Sequence, residues 1–189
     1  RRQRQMCIRD SYIWIVNSDD YIEPQALKEL AQLIESFPED NLPIIASSMR
    51  FINLNQNTST IYISNEKAPQ KGYKSLDMGI IHPATLVPKS IYKQIGNYDD
   101  RFSIMADIDW FIRACKTHQP IYSSTIVSTN MCYGGISTTS QFKKLYKERT
   151  MLYKKHTRNL IEEKLYLSKW CIRHFKNTLY TKIKSLKHK

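Results

Sequence analysis

From Tyr12 to Val16 the chain reads YIWIV, an unbroken run rich in β-branched and aromatic residues that predicts a buried strand. The polar cluster Asn17, Ser18, Asp19, Asp20 follows at its carboxyl end. From Pro24 onward the period lengthens: Ala26, Leu27, Leu30, Leu33, Ile34 and Phe37 fall at three- and four-residue spacing, which predicts an amphipathic helix that Pro38 stops. Residues 43–52 and 59–63 predict two strands around an Asn-rich turn at 53–57, and 71–79 reads equally as loop or short helix. A short apolar run, Ala84 to Val87, then leads into a small helix from Ser90 to Ile95, with Gly96 suited to a left-handed C-cap. A turn over 97–101 delivers Ala106, Asp107, Ile108 and Asp109 to the start of another helix with Trp110, Phe111 and Ala114 on one side. A strand at 120–127 and the glycine-bearing stretch Cys132 to Thr138 follow, and from Gln141 the chain reads as helical to its end. There Ile161, Leu165, Ile172, Phe175, Leu179, Ile183 and Leu186 form one apolar stripe flanked by lysines and arginines.

Strands alternating with helices predict an α/β fold, and 189 residues suffice for one domain with a real core. A central-strand pattern this close to the start implies earlier strands and helices in a longer protein. Residues 1–11 (RRQRQMCIRDS) show no periodicity, and Gln5 to Ser11 resembles the translation of a transposon-end sequencing adapter. They are set aside as a leader, leaving an α/β body over 12–140 and a helical extension over 141–189.

Charge sharpens that division. Residues 1–140 carry 14 basic and 14 acidic side chains, whereas 141–189 carry 15 and 3, so the whole net charge of +12 sits in the extension. The expectation is a neutral body with a cationic appendage that meets an anionic surface, such as the cytoplasmic face of a membrane through 158–189. The stripe packing on the body is the competing reading. Cys7, Cys115, Cys132 and Cys171 lack metal-ligand or disulfide-framework spacing, which fits a reducing compartment, and no apolar run reaches the roughly 18 residues of a transmembrane helix.

Candidate chemistry concentrates at two acidic pairs. Asp19 and Asp20 are adjacent at a strand tip, where a hard divalent cation with a bound diphosphate offsets their repulsion; the competing reading makes one of them a cap for the helix beginning at Pro24. Asp107 and Asp109 open a helix; one could serve as its cap, which leaves the other available for chemistry. The hydroxyls and N–H groups around Gly134, Gly135 and Ser137 are able to cradle an anion, although a loop junction needs glycine in any case.

Taken in order, these stretches resemble the C-terminal part of a family 2 inverting glycosyltransferase of the GT-A fold, from about Tyr12 to about Glu148. NSDD with Tyr21-Ile22-Glu23-Pro24 looks like that family's DxD metal motif. HPATLVPKSIYKQIGNYDDRFSIMADIDWFIR is similar to its stretch of His, small helix, glycine turn, acidic pair and Arg. GGIS followed by a basic helix containing Glu148 is typical of its bacterial surface-polysaccharide branch. The resemblance implies transfer of one sugar at a time from a nucleotide-diphosphate-sugar to a glycan or lipid-linked glycan acceptor, with a Mn or Mg ion. It places Asp19 on the metal, Asp20 beside it, Asn17 in a hydrogen-bonding role where the family has the first Asp, and Gly134, Gly135 and Ser137 on the diphosphate. Asp107 matches the catalytic base, Asp109 and Arg113 match supporting positions, and His82 is expected near acceptor or diphosphate. The QxxRW stretch of processive members is absent from the sequence. Two alternatives stay open: an inactive fragment, since the base pocket of this family lies on more N-terminal strands, and a basic module that binds a partner or nucleic acid. The tail lacks glycine-rich and aromatic-stacking signals for RNA, so no nucleic acid is expected.

Overall fold

A computed structural model describes residues 3–8, 11–53, 57–67, 76, 78–132, 142–157 and 159–186, with backbone only for 3–8 and 177–186. Among these residues the protein is mixed α/β, with one twisted sheet flanked by helices. Its strands are β1 (Gln3–Ile8), β2 (Tyr12–Asn17), β3 (Tyr21–Ile22), β4 (Ile45–Asn53), β5 (Thr58–Tyr62), β6 (Thr85–Pro88) and β7 (Ile121–Cys132). Their order across the sheet is β1-β2-β6-β4-β7-β3, with β5 paired to β4. Only β4 and β7 run parallel among these pairs. Helices are α1 (Pro24–Glu35), α2 (Lys89–Ile95), α3 (Ala106–Ala114), α4 (Phe142–His156) and α5 (Leu160–Leu186).

The period-two rule of strands sorts the core onto two faces. Ile45 and Leu86 point to one face and join Tyr12, Trp14 and Val16 under Ala26, Leu30 and Ile34 of α1. Their neighbours Ile44 and Val87 point to the other and meet Ile91 of α2 and Trp110, Phe111 and Ala114 of α3. Burying Leu30 and Ile34 on the sheet contributes about 1.5–3 kcal/mol each, which is what fixes α1 there. A third cluster, with Phe102, Met105, Ile112, Leu152 and Tyr153, fastens α4 to α3.

Several local expectations are revised. The backbone of Gln3–Ile8, left out of the fold on sequence grounds, pairs antiparallel with all of β2 as an edge strand. β7 runs to Cys132, five residues past the expected end, because β4 and β3 supply partners along it. Gly96 has φ +80° and ψ −169°, so it ends α2 outside the left-handed helical well, in a region open essentially to glycine alone. The C-terminal segment is two helices, broken where the Asn159 side chain accepts the N–H groups of Ile161 and Glu162 and starts α5; Asn-x-x-Glu is a legible start signal.

The face that α5 buries is also new. Glu163, Leu167 and Trp170 are buried, Tyr166 packs with Tyr153, and Phe142 of α4 stacks on Trp170 with ring centres 5.4 Å apart. Ile161, Leu165, Ile172 and Phe175, the stripe read from the sequence, are exposed, from 56% at Ile172 to 79% at Ile161. These four side chains therefore stand outside the buried core, although the Phe175 ring lies 5.4 Å from that of Phe142 and Leu165 lines the cleft described below. The side chains of Leu179, Ile183 and Leu186 lie outside the described residues. No described helix is long and apolar enough to cross a membrane.

Candidate active site

β2 carries its polar cluster out of the sheet in a tight turn closed by the Asp20 N–H to the Asn17 carbonyl, 3.1 Å. The Asn17 amide donates to Asp20 Oδ2 at 2.8 Å, and the Cys132 N–H donates to Asp20 Oδ1 at 3.3 Å. Asp20 is thus braced from both sides, and Asp19 projects at the surface. An Asp at position 17 would set two carboxylates at hydrogen-bond distance; Asn removes that repulsion. The capping alternative fails, since Glu23 is the N-cap residue of α1 and no side chain caps it. β3 pairs Tyr21 and Ile22 with Asn130 and Thr129, which pins the turn to the end of β7. There Asn130 is fully buried with neither amide atom hydrogen-bonded, an expense of about 1–3 kcal/mol per unmet group.

From this turn the structure leads to the second pair. The carbonyl of Pro83 accepts from Trp14 Nε1 at 2.8 Å and from Thr129 Oγ1 at 2.7 Å, which holds the 3-10 turn His82–Ala84 against β2 and β7. His82 and Asp107 both line a cleft of about 750 Å³. The His82 ring lies edge-on to Phe111 and its Nε2 is 3.4 Å from the Tyr98 hydroxyl. Burial pushes the imidazole below its ordinary range, against the opposing pull of the Asp107 carboxylate. Asp107 sits in the first turn of α3, with one oxygen taking the Ile108 N–H at 2.8 Å.

Neither acid is the N-cap residue of α3, which is Met105, although Asp107 takes one first-turn amide, that of Ile108. The amides that lead into the helix are satisfied from a residue more than forty positions away: Glu148 of α4, buried, accepts the N–H groups of Ser103, Ile104 and Met105 at 2.8–3.2 Å and the Ser103 hydroxyl at 2.7 Å. Burial raises the Glu148 pKa, but these four hydrogen bonds outweigh it and hold the group below the usual carboxylate range. Glu148 therefore sets the start of the helix that bears Asp107.

Asp109 is separated from Asp107 by its direction. It is fully buried and takes His156 Nε2 at 2.8 Å, Lys155 Nζ at 2.7 Å and Arg113 Nε at 3.0 Å. Burial pushes its pKa up, yet those three partners, His156 first, bring it down to about 2. Arg113 also donates to the carbonyls of Ile95 and Asn97 at 2.7 Å each, tying α3 to the turn after α2. Lys155 reaches Asp99 as well, which Arg101 and Lys155 hold below its ordinary range. Asp109 and Arg113 do not line the cleft; they fasten α3 to its neighbours.

The far wall of the cleft was not legible as a site. It comes from α4 and α5: Arg149, Tyr166, Lys169, Trp170 and Arg173. Their helical spacing was visible, but nothing local indicated that they face Asp107. Gly134, Gly135 and Ser137 lie outside the described residues.

Among the described residues no three His, Cys, Asp or Glu side chains gather as metal ligands. The acidic turn offers the oxygens of Asp19 and Asp20, a donor set that suits a hard dication whose remaining ligands are water and diphosphate. Searches against protein-family models and curated proteins returned no match for this chain.

Proposed function

We propose that this chain is the acceptor-side part of an inverting GT-A glycosyltransferase of family 2, which moves one sugar from a nucleotide-diphosphate-sugar to an acceptor hydroxyl. The observation that carries the reading is that two unlike acidic sites are linked through the same strand, β7. Asp107 opens into a cleft wide enough for a sugar, and the Asp19–Asp20 turn stands at the tip of β2, joined to it through β7 and Pro83.

In such a displacement the acceptor oxygen attacks the anomeric carbon as the diphosphate leaves from the opposite face, so no enzyme nucleophile is needed. Asp107 accepts the hydroxyl proton. His82, held neutral by burial, orients the acceptor beside it. A Mn or Mg ion held by Asp19, with Asp20 beside it, would neutralise charge on the leaving diphosphate when bound. Asn17 acts on that end by holding Asp20.

Calorimetry of the full chain with a panel of nucleoside diphosphates and Mn²⁺ tests the donor half. Asp19→Ala is expected to abolish metal-dependent binding, whereas Asn17→Ala only weakens it by loosening Asp20. Equal affinity for wild type and Asp19→Ala would remove the metal assignment.

The same reading places the enzyme on the cytoplasmic face of a membrane through α5. Its exposed Ile161, Leu165, Ile172 and Phe175 are interspersed with exposed Lys164, Lys169, Arg173 and Lys176, a face that gains from apolar burial and from anionic headgroups together. Binding to vesicles containing phosphatidylglycerol should fall with rising salt as screening shortens, and Ile161→Asp with Ile172→Asp should remove it without lowering the melting temperature. An intact protein that ignores such vesicles at low salt would exclude the membrane role.

A further inference from the structure

The cleft that holds Asp107 has an unusual wall. Arg149, Lys169 and Arg173 bring three cations to it, against Asp107 and Glu162. Arg149 is half-committed: its Nη1 donates to the Tyr166 hydroxyl at 2.6 Å and its guanidinium lies 5.0 Å over the Trp170 ring, but its Nε is buried with no hydrogen-bond partner. The buried Nε is closed to a ligand, but Tyr166 and Trp170 fix the plane of a guanidinium that lines the cleft, a geometry suited to an oxygen anion. Lys169 and Arg173, one helical turn apart and both exposed, converge on the same cleft. The opposite lining is apolar, with Leu76, Met78, Ile80 and Phe111.

We infer that Arg149, Lys169 and Arg173 select an acceptor carrying a phosphate, which they hold while the acceptor hydroxyl is presented to Asp107. This rests on the glycosyltransferase reading and adds its acceptor chemistry. Phosphate is the class that fits: three cations gathered on one wall favour an anion over a neutral sugar, and the apolar lining accommodates the chain or ring that bears it. The donor diphosphate is held elsewhere, since Asp19 and Asp20 do not line this cleft. The phosphate reaches the cleft either on a lipid or on a soluble acceptor.

Titration of the full chain with farnesyl phosphate, glycerol 1-phosphate and farnesol, followed by intrinsic tryptophan fluorescence, separates these cases because Trp170 lies in the wall. Both phosphates are expected to bind and farnesol to bind much more weakly. Lys169→Gln with Arg173→Gln, two exposed positions that leave the fold intact, should weaken phosphate binding about tenfold or more, because a hydrogen bond to a charged group is worth about that factor. Arg149→Lys keeps the charge and loses the fork, and should weaken it as well. A clear preference for farnesyl phosphate assigns a lipid-borne acceptor; equal binding assigns a soluble one. Farnesol binding as tightly as farnesyl phosphate, or phosphate affinity unchanged in the double variant, would overturn the inference. Displacement of the bound phosphate by nucleoside diphosphate and Mn²⁺ would overturn it too, since the cations would then serve the donor. Loss of nucleoside diphosphate binding in Asp19→Ala, read in the same preparation, reports on the glycosyltransferase assignment independently.

Discussion

Replacing Asp107 by Asn is expected to lower sugar transfer by about 10²–10⁴-fold, the usual contribution of a positioned general base. The change is nearly isosteric, and the Asn side-chain oxygen retains an acceptor for the Ile108 N–H that Asp107 takes at 2.8 Å, so α3 keeps its first turn. What disappears is the capacity to take a proton from the attacking hydroxyl. Donor affinity should stay near wild type because Asp19 and Asp20 stand on a different turn. The measurement is turnover at saturating donor, with the cognate nucleotide sugar first identified in a panel. A fall in kcat with little change in donor KM is the signature of an interaction made only in the transition state. Wild-type turnover by Asp107→Asn would exclude Asp107 as the base and with it the proposed chemistry of the cleft.

The second large effect is on stability and comes from the neighbouring acid. Asp109→Ala should cost about 3–5 kcal/mol, as removal of one member of a buried ion cluster does, and lower the melting temperature by about 10 °C. The Ala variant strands His156, which is 2% exposed, leaves Arg113 without its carboxylate partner and leaves Lys155 to Asp99 alone at the α3–α4 seam. The pH dependence has a definite sign. Asp109 is held at about 2 when folded, below the ordinary value of 3.8, so the unfolded chain takes up the proton first as pH falls. Its stabilisation is fully present above about pH 4 and is lost as the pH drops through about 2. Melting temperatures across that window should converge for wild type and Asp109→Ala. A constant gap down to pH 2 would show that Asp109 acts through packing and not through its charge.

These two predictions separate acids that stand two residues apart and look alike in the chain. Asp107 and Asp109 share one helical turn, one residue type and one local pattern. Their fates differ because α4 arrives over Asp109 with Lys155 and His156, forty-six and forty-seven positions later, and leaves Asp107 facing the cleft.

The sequence by itself determined what depends on neighbours along the chain. The apolar run of β2 and its polar tip, the three- and four-residue spacing of α1, the acidic first turn of α3 and the segregation of positive charge after residue 140 are all readable within a window of a few turns, since strand and helix periods are properties of local backbone geometry. Tertiary structure decided which side each element turns inward. It brought Glu148 to the amides that lead into the helix beginning at Ala106 and buried Leu167 and Trp170 of α5 while leaving Ile161 and Ile172 in solvent. It also brought Arg149, Lys169 and Arg173 to face Asp107 across one cleft. A helix with apolar residues on two faces has no local preference between them, and the choice falls to whichever face gains more from the surfaces it meets, here Tyr153 and Phe142 of α4. Those partners come together only when the chain closes loops of tens of residues, a long-range term that no local pattern of residues encodes.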